Sequence, residues 1–467
     1  MNTSLVEVIR AHGAEWLDLR FTDLKGMVHH LTLDADRIDD AFLVDGLMFD
    51  GSSVAGWKAV HQSDMKLMPD VRSAYLDPFI TGRTVAVHCS IIEPDTGLPY
   101  ARDPRSTAQR AEAYLSESGI ADTACFGPEA EFYLFDDVRF DVSMNRVSFE
   151  VDAVDAAWNS NRRYEGGNLG HRPATKGGYM PLPPVDSGQE LRSEMLATMR
   201  RIGMKVDKHH HEVGSTQHEL GLIFGTLVAQ ADEMQKYKHI VRNVAQAHGR
   251  TATFMPKPVA GDAGSGMHVN MSLWKDDAPL FAGDGYAGLS DRALWFIGGI
   301  LRHARALNAI ANPATNSYKR LVPGFEAPVL RAYSAKNRSG AIRIPWCESA
   351  AAKRVEARFP DPAANPYLVF SALLMAGLDG IRNRIDPGEA NDRDLYDLPP
   401  EESAGLPRIC ASLGEALVAL EQDADFLLAG GVFTGEQIES YLALKRNEIE
   451  ACEQTPHPME YRMYYSC

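Results

Sequence analysis

One strand-forming run stands at the centre of the sequence: Phe126-Gly127-Pro128-Glu129-Ala130-Glu131-Phe132-Tyr133-Leu134-Phe135. Its aromatic and aliphatic residues favour a buried β-strand that the Gly-Pro pair opens. Glu129 and Glu131 lie two positions apart, so their side chains share one face of the strand, roughly 6–7 Å from each other. Two buried carboxylates cannot both stay ionised without a positive partner. The run therefore predicts a divalent-cation site with room for two cations, and the alternative is a solvated strand face.

The length of the chain, 467 residues, exceeds one typical core, so we expect two domains. The first part is strand-rich and predicts a small sheet domain. Asp103-Pro104 then begins a helix, with Asp at the cap and Pro in the first turn. These signals place an N-terminal domain at 1–103 and a larger domain at 104–467.

Charge and composition limit the partners. The net charge of −16 argues against binding to nucleic acid or to an anionic membrane surface by bulk electrostatics. The N-terminus has no basic region followed by an apolar run, and no apolar run of about 18 residues occurs, so we expect no signal peptide and no membrane span. The six cysteines lack paired spacing and are expected to be reduced thiols in a cytoplasmic protein.

The segment 136–186 is rich in Gly, Pro, Asn and Asp and predicts a long loop. Such a loop is either functional or packs against a neighbouring subunit. Ser187 is then expected to cap a helix, with Glu190 completing a capping box.

Candidate ligands recur further along the chain. In the run 209–212, His-His-His-Glu, strand alternation places His210 on the face opposite to its histidine neighbours. A structural role is as well supported as metal ligation for each histidine. Glu212 and Glu219 are the better candidates, because hard cations prefer oxygen. His268 follows a glycine-rich loop and enters an alternating strand.

The collected candidates are five carboxylates and one imidazole, which suit two Mg²⁺ or Mn²⁺ ions: Glu129, Glu131, Glu212, Glu219, His268 and Glu356. A local basic cluster at 338–358 suits an anionic substrate and a polyphosphate, unless it pairs with the surplus acids. Paired divalent cations with arginines are the groups that phosphoryl transfer needs. The residues thus indicate a metal-dependent, ATP-using transferase or ligase.

A set of motifs running in order across nearly the whole chain closely resembles bacterial type I glutamine synthetase: F-D-G-S-S (49–53), G-P-E-A-E-F (127–132), H-H-H-E-V (209–213), G-S-G-M-H (264–268), N-S-Y-K-R-L-V-P-G-F-E-A-P-V (316–329) and R-F-P-D-P (358–362). The resemblance implies an α+β fold, with an N-terminal β-grasp domain followed by a larger catalytic α/β domain. It also implies a homododecamer of two hexameric rings, with active sites formed between subunits.

The resemblance implies two cation sites that hold two to three Mg²⁺ or Mn²⁺ ions per subunit. One site would be formed by Glu131, Glu212 and Glu219. The other, nearer the nucleotide, would be formed by Glu129, His268 and Glu356.

The resemblance also assigns substrate contacts. Glutamate carboxylates and the transferred phosphate would be bound by Arg320, Arg338 and Arg358, with Gly264 beside the amino group. ATP would be contacted by Asp207, Phe224, Ser272, Arg343 and Arg354.

Further roles follow from the same motifs. Asp50 of a neighbouring subunit would take a proton from ammonium, in a pocket shaped by Ser53, Tyr179 and Glu212. Glu326 would lie on a flap that closes the site. Tyr396 resembles the tyrosine that an adenylyltransferase modifies to lower activity.

The implied reaction is ATP-dependent ligation of ammonia to the γ-carboxylate of L-glutamate through γ-glutamyl phosphate. Three residues depart from the family pattern: Ala263 replaces a usual Asn, Asn270 a frequent His, and Ala351 a usual Lys. Two alternatives stay open, a γ-glutamyl amine ligase and a weakly active paralog that senses nitrogen status.

Overall fold

In a computed structural model of the chain, the described residues are 4–39, 41–324, 327–395, 402 and 405–467. The first domain is a six-stranded sheet in the order β2-β1-β6-β4-β3, with β5 paired to β6. Its strands are β1 Trp16–Thr22, β2 Val28–Asp34, β3 Leu47–Asp50, β4 Asp64–Pro69, β5 Tyr75–Leu76 and β6 Thr84–Ile92. The helices α1 Leu5–His12 and α2 Phe42–Asp45 accompany it. β1 pairs antiparallel with β2 and parallel with β6.

A ten-stranded sheet forms the second domain, in the order β10-β11-β7-β14-β18-β17-β16, with β12 and β13 on β7 and β15 on β14. The long central strand is β7 Thr123–Phe135, as the sequence predicts. The other strands of this sheet are β10 Val206–His211, β11 Gln217–Leu222, β12 Gly225–Thr226, β13 Thr251–Thr253, β14 Met267–Lys275, β15 Ala278–Pro279, β16 Tyr333–Ala335, β17 Ile342–Ile344 and β18 Val355–Ala357. β7 therefore has neighbours on both sides, which bring distant segments to it.

The helices of this domain are α3 Pro104–Ser118, α4 Gln189–Arg201, α5 Leu227–Ala247, α6 Asp291–Ala311, α7 Ser317–Arg320, α8 Pro366–Asn383, α9 Leu413–Gln422, α10 Asp425–Leu428, α11 Gly435–Glu453 and α12 Pro458–Tyr464. α8 is buried along nearly its whole length, and α3, α5 and α6 pack around it. Among helices in the described ranges, none is long and apolar enough to cross a membrane.

The start of α3 confirms the predicted helix signal. The Asp103 side chain accepts hydrogen bonds from the backbone N–H groups of Arg105 and Ser106, and Gly119 ends the helix in a left-handed conformation. The domain boundary at 103/104 stays a prediction, and it falls between the last strand of the first sheet and this helix.

Two local predictions are wrong. Ser187 does not cap α4, which begins after Gly188 without a side-chain cap. Instead the Ser187 hydroxyl donates a hydrogen bond to Asp155, at 2.7 Å, which occupies the group that would have capped the helix. The predicted loop 136–186 also begins with an antiparallel hairpin, β8 Asp137–Ser143 and β9 Arg146–Asp152.

Candidate active site

The strand register assembles one cluster of candidate ligands around β14. His268 lies opposite Glu129 on β7, and Asn270 lies opposite Glu356 on β18. Directly paired residues project from the same face of a sheet. One ligand atom from each of Glu129, His268 and Glu356 therefore lies within 4.8 Å of the others. The structure brings together the three residues that the resemblance groups, and their role as ligands stays a prediction.

A second cluster lies across the opposite edge of β7. His210 on β10 is paired with Glu219 on β11, which is paired in turn with Glu131 on β7. Ligand atoms of His210, Glu212 and Glu219 lie within 4.8 Å of one another. His210 thus occupies the place in this compact group that the resemblance gives to Glu131.

Glu131 lies beside the second cluster and is held by neutral donors. Its Oε2 accepts hydrogen bonds from Gln217 Nε2, at 2.8 Å, and from the Gly266 N–H, at 2.7 Å. These contacts fix the carboxylate against the glycine-rich loop. Ligation by Glu131 stays a prediction.

In the first cluster, arginines contact the central carboxylate. Glu356 accepts hydrogen bonds from Arg343 Nη1 and from Arg358 Nη1, each at 2.6 Å. His268 Nδ1 is 3.7 Å from Glu129 and 3.8 Å from Glu356, too far for hydrogen bonds. The imidazole nitrogen and the two carboxylates thus face one another without direct bonds between them.

The electrostatics around Glu131 and Glu219 favour a bound cation, and the state of His268 is compatible with one. Burial, and then the charge of Glu212, raises the pKa of Glu131, and burial with the charge of Glu129 raises the pKa of Glu219 well above its usual range. Burial, and then the charge of Arg358, lowers the pKa of His268, so this imidazole is neutral and its nitrogen is able to ligate. A divalent cation would relieve the repulsion between the buried carboxylates. Carboxylate oxygens and neutral imidazoles suit Mg²⁺ or Mn²⁺, so the residues fit such ions.

Five arginines face these acids across one cleft of about 620 Å³. They are Arg320, Arg338, Arg343, Arg354 and Arg358. The Arg320 side chain is buried and donates to the backbone carbonyls of Phe359 and Arg358, at 2.8 Å and 3.1 Å. The Arg338 side chain is exposed. An anionic substrate can therefore meet both a buried and an exposed guanidinium group next to the two clusters of candidate ligands.

Gly264 lines the same cleft at a position that has no room for a side chain. A Cβ added there would lie 2.8 Å from Arg320 Cγ and 2.8 Å from the Pro256 carbonyl oxygen. The Gly264 carbonyl accepts a hydrogen bond from Gln217. The loop thus brings bare backbone to the cleft, where a substrate can approach it closely.

The predicted ammonium-binding residues are divided between two places. Tyr179 lines the cleft, and its ring packs edge-on against His210 with centroids 5.8 Å apart. Asp50 is exposed at the end of β3 and accepts hydrogen bonds from the Ser52 and Ser53 hydroxyls, each at 2.6 Å. In the part of the chain that the structure describes, neither Asp50 nor Ser53 lines the cleft. Glu326 and Tyr396 lie outside the described residues.

The remaining predicted nucleotide contacts are Phe224, Ser272 on β14 and Asp207 on β10. The Phe224 side chain is exposed. A Cβ added at Gly127 would lie 3.5 Å from the Phe224 Cβ. Ser272 is half-buried on β14 and accepts a hydrogen bond from Trp274 Nε1, at 3.1 Å. Asp207 is exposed on β10. Phe224, Ser272 and Asp207 are not lining residues of the cleft as the described residues define it.

The three departures from the family pattern have different surroundings. Asn270 donates to Glu129, at 3.0 Å, and accepts from Arg354 Nε, at 2.9 Å, so its amide joins an acid to an arginine. The buried Ala263 lines the cleft, and its carbonyl accepts from the Tyr133 hydroxyl. Ala351 is exposed on a short 3₁₀ turn, Ala350–Ala352.

Sequence reasoning gave two residues of the site too little weight. Gln217 lies two positions before Glu219 in the same strand, so alternation could have placed it on the same face. His210 was considered, but its pairing with Glu219 follows a register shift in β10 that the sequence does not reveal.

The fold and the site together define a class of two-domain α+β proteins in which a candidate divalent-cation centre faces a set of arginines. The family model for the glutamine synthetase catalytic domain matches residues 101–464, and the model for the glutamine synthetase beta-Grasp domain matches residues 13–94. The chain belongs to the glutamine synthetase family.

Individual relatives agree over nearly the full length. Glutamine synthetase from Cereibacter sphaeroides is 64% identical over 462 residues, which cover 99% of this chain and 98% of that protein. The Escherichia coli K12 glutamine synthetase is 57% identical, with 99% of each chain covered. A cryo-EM structure of Plasmodium falciparum glutamine synthetase matches with a TM-score of 0.90 at 29% identity, over 99% of this chain and 98% of that one. The chain is thus an enzyme of glutamine biosynthesis, a glutamate–ammonia ligase, and the family uses ATP and divalent metal ions.

Proposed function

We propose that the enzyme forms glutamine in two steps. The γ-carboxylate of L-glutamate first attacks the terminal phosphate of ATP, giving γ-glutamyl phosphate and ADP, and ammonia then displaces phosphate. The observation that carries this proposal is the strand register of β10, β11, β7, β14 and β18, which places two acidic clusters at one cleft that five arginines line. Phosphoryl transfer depends on such positioning and charge neutralisation.

Two cation sites are part of the proposal. One is formed by Glu129, His268 and Glu356, and the other by Glu212 and Glu219 with His210 or Glu131. They would hold two to three Mg²⁺ or Mn²⁺ ions per subunit. When bound, these ions neutralise charge on the phosphate oxygens.

The arginines would hold the anionic groups of the substrates. Arg320 and Arg358 bind glutamate carboxylates, and Arg338 binds the transferred phosphate, where its charge stabilises the reacting group. The Gly264 backbone lies beside the glutamate amino group. ATP is contacted by Asp207, Phe224, Ser272, Arg343 and Arg354.

Ammonium must lose a proton before it can attack, and we assign this step to Asp50 as general base. Hydrogen bonds from Ser52 and Ser53 lower the pKa of Asp50, so its carboxylate is ionised and able to accept the proton. Tyr179 and Glu212 would shape the ammonium pocket. Glu326 would lie on a flap that excludes water from the acyl phosphate.

An oligomer would supply Asp50 from a neighbouring subunit, and we propose a homododecamer of two hexameric rings. Its support is the exposed apolar surface at two places: the β8–β9 hairpin, where Phe140 is 77% exposed, and α12, where Tyr461 is 61% exposed. Contiguous apolar surface of this kind marks contacts between chains. Tyr396 would be the target of an adenylyltransferase.

The test is release of phosphate from ATP with glutamate and ammonia in the presence of Mg²⁺. We expect release that requires all three substrates and that is lost in the Glu356→Gln variant. Methylamine in place of ammonia provides the comparison with amine ligation. Faster turnover with methylamine would replace the proposed substrate, and the absence of phosphate release from the wild type would refute the reaction.

A further inference from the structure

A further cavity, of about 580 Å³, lies between the two domains. Its first wall comes from the turn between β1 and β2, with Met27 and Val28, and from Tyr75. Its second wall comes from α5 and from Phe254, which follows β13. It shares no lining residue with the cleft of the acidic clusters within the ranges that the structure describes.

The charged side chains around this cavity have one sign. Arg20, Lys25, Lys236, Lys238 and Arg242 line it together with three histidines, and no Asp or Glu of the described chain does so. The protein as a whole carries a net charge of −16. Basic groups that line one cavity disfavour each other's charged form, so they need negative charge nearby to stay protonated.

Two of the five cations already have carboxylate partners behind the cavity wall. Arg20 is paired with Asp18 at 2.7 Å and with Asp77 at 2.5 Å. Lys25 is paired with Glu448 at 2.9 Å. These two residues are neutralised by the protein itself.

The other three cations have no carboxylate within ion-pair distance in the described part of the chain. Lys236 Nζ lies 4.8 Å from the centre of the Tyr75 ring, and the Arg242 guanidinium lies 5.3 Å from that of Phe254. Lys238 is buried and donates to the Pro362 carbonyl oxygen at 2.7 Å. Burial, and then the charge of Arg242, lowers the pKa of Lys238 to about 7, as expected for a cation with too little negative charge nearby.

A buried histidine on the same cavity lacks hydrogen bonds. His88 on β6 is 2% exposed and lines the cavity, and neither of its ring nitrogens has a hydrogen-bond partner. Buried polar groups almost always find a partner, from the protein, from ordered water or from a bound ligand. His88 therefore points to a ligand independently of the lysines and the arginine.

We propose that this interdomain cavity binds a small organic anion with at least two negative charges, a phosphate ester or a dicarboxylate. Lys236, Lys238 and Arg242 would contact its charged groups, and His88 would form a hydrogen bond to it. The volume is within the range of small-molecule sites. Both domains contribute walls, so a ligand that binds only the folded chain stabilises the protein against unfolding.

Thermal unfolding of the full-length enzyme tests the proposal, with pyrophosphate and succinate as probes of the two ligand chemistries. The test variant is Lys236→Gln/Arg242→Gln, and the control is Arg292→Gln, which removes an exposed cation at the start of α6. Binding of a probe at the active site raises the melting temperature equally in all three proteins. The difference between variants therefore isolates the interdomain cavity.

We expect at least one probe to raise the melting temperature of the wild type and of Arg292→Gln alike. In Lys236→Gln/Arg242→Gln the apparent affinity for that probe should fall about tenfold for each of the two cations removed. A response to one probe alone identifies the ligand as a phosphate ester or as a dicarboxylate. Equal responses in all three proteins, or no response, would overturn the proposal. Crystals of the wild type soaked in tungstate give a measurement that needs no variant: density beside Lys236 and Lys238 supports the site, and its absence there contradicts it.

Discussion

His209 and His210 are neighbours in sequence but face different surroundings. His210 Nε2 lies 2.7 Å from Glu212 Oε1, whereas His209 bonds to Arg192 and Ser193 of α4. We expect His210→Asn to weaken Mn²⁺ binding about ten- to hundredfold, because it removes a group that ligates or orients a ligand. His209→Asn is the control and should bind Mn²⁺ as the wild type does, in a titration followed by EPR. Equal losses in both variants would assign the histidines a structural role only.

Ala351 gives a second prediction at the scale of one residue. It is exposed, at a position where the resemblance implies a lysine. We expect Ala351→Lys to lower the KM for ATP by a factor that corresponds to roughly 1–3 kcal/mol, since a charged contact to phosphate is added. Ala352→Lys, on the same exposed turn, is the control, and steady-state kinetics measure both. An unchanged KM for Ala351→Lys would mean that another group already makes this contact.

The single residues show what the sequence can predict. The pair Glu129 and Glu131 could be found because alternation within one strand is a local rule. The hydrogen bonds that hold Glu131 could not, since they depend on Gln217 and on the Gly266 backbone, which reach it only through the sheet. For the same reason, only the structure shows that His210 as well as Glu131 lies beside Glu219.

At the scale of elements, α6 and α8 approach each other at glycines. A Cβ at Gly380 would lie 2.1 Å from the Trp295 carbonyl oxygen. We expect Gly380→Ala to lower the free energy of unfolding by about 1–3 kcal/mol, because the overpacking outweighs the better helix propensity of alanine. Gly414→Ala is the control: its added Cβ meets no atom nearer than Ser412 Oγ, at 3.8 Å. A neutral Gly380→Ala in chemical denaturation would show that the two helices can separate at little cost.

His303 on α6 contacts α8, the C-terminal end of α9 and α10, and gives a pH-dependent prediction. Its ring nitrogens lie 2.8 Å from Asp423 and 3.0 Å from Asp379, and its ring stacks on Phe426. Burial acts to lower its pKa, but the hydrogen bonds to Asp423 and Asp379 outweigh burial and the pKa is raised. Stability from protonated His303 is therefore fully present below the unfolded-state pKa of roughly 6.5 and is lost as the pH rises through the folded-state value.

The measurement compares unfolding of His303→Gln and wild type at about pH 5.5 and about pH 9. We expect the variant to be more destabilised at the acidic pH. His248→Gln removes an exposed histidine that pairs with Glu194 and serves as the control. A loss that is the same at both pH values would assign the effect to packing on Phe426 rather than to charge.

Elements differ in how much of them the sequence reveals. α3 was predictable because Asp103, Pro104 and Gly119 are local start and stop signals. The β8–β9 hairpin was missed although apolar residues alternate at 138, 140 and 142 and again at 147, 149 and 151. The Gly- and Pro-rich composition of the whole segment 136–186 concealed this short alternating part. Ser187 failed as a cap because a tertiary contact with Asp155 competes for its hydroxyl.

At the scale of the molecule, both cavities depend on the meeting of distant segments. The basic interdomain cavity takes Arg20 and His88 from the first sheet and Lys236 and Arg242 from α5. In the sequence the α5 cations are typical of a solvated helix face. Their position in one cavity with Arg20 and His88 is a property of the domain contact. No periodicity could have predicted it.

Asp50 raises a question that belongs to the whole assembly. Within one chain it is exposed, and in the described part of the protein it does not line the cleft that contains Glu212. If Asp50 completes the site of a neighbouring subunit, then Asp50→Asn and Glu212→Gln damage different halves of one shared site. A mixed oligomer would then contain some sites that are intact.

Co-expression of Asp50→Asn and Glu212→Gln chains with different affinity tags tests this arrangement. Each variant alone should be nearly inactive in the phosphate-release assay. In randomly mixed oligomers about a quarter of the sites receive native Asp50 from one chain and native Glu212 from the other, so activity should reappear at about that fraction. A mixture of Glu212→Gln and Glu356→Gln is the control, because both residues belong to the same chain's candidate site and no mixed site is intact. Mixed Asp50→Asn and Glu212→Gln oligomers that stay as inactive as their parents would contradict a site shared between subunits.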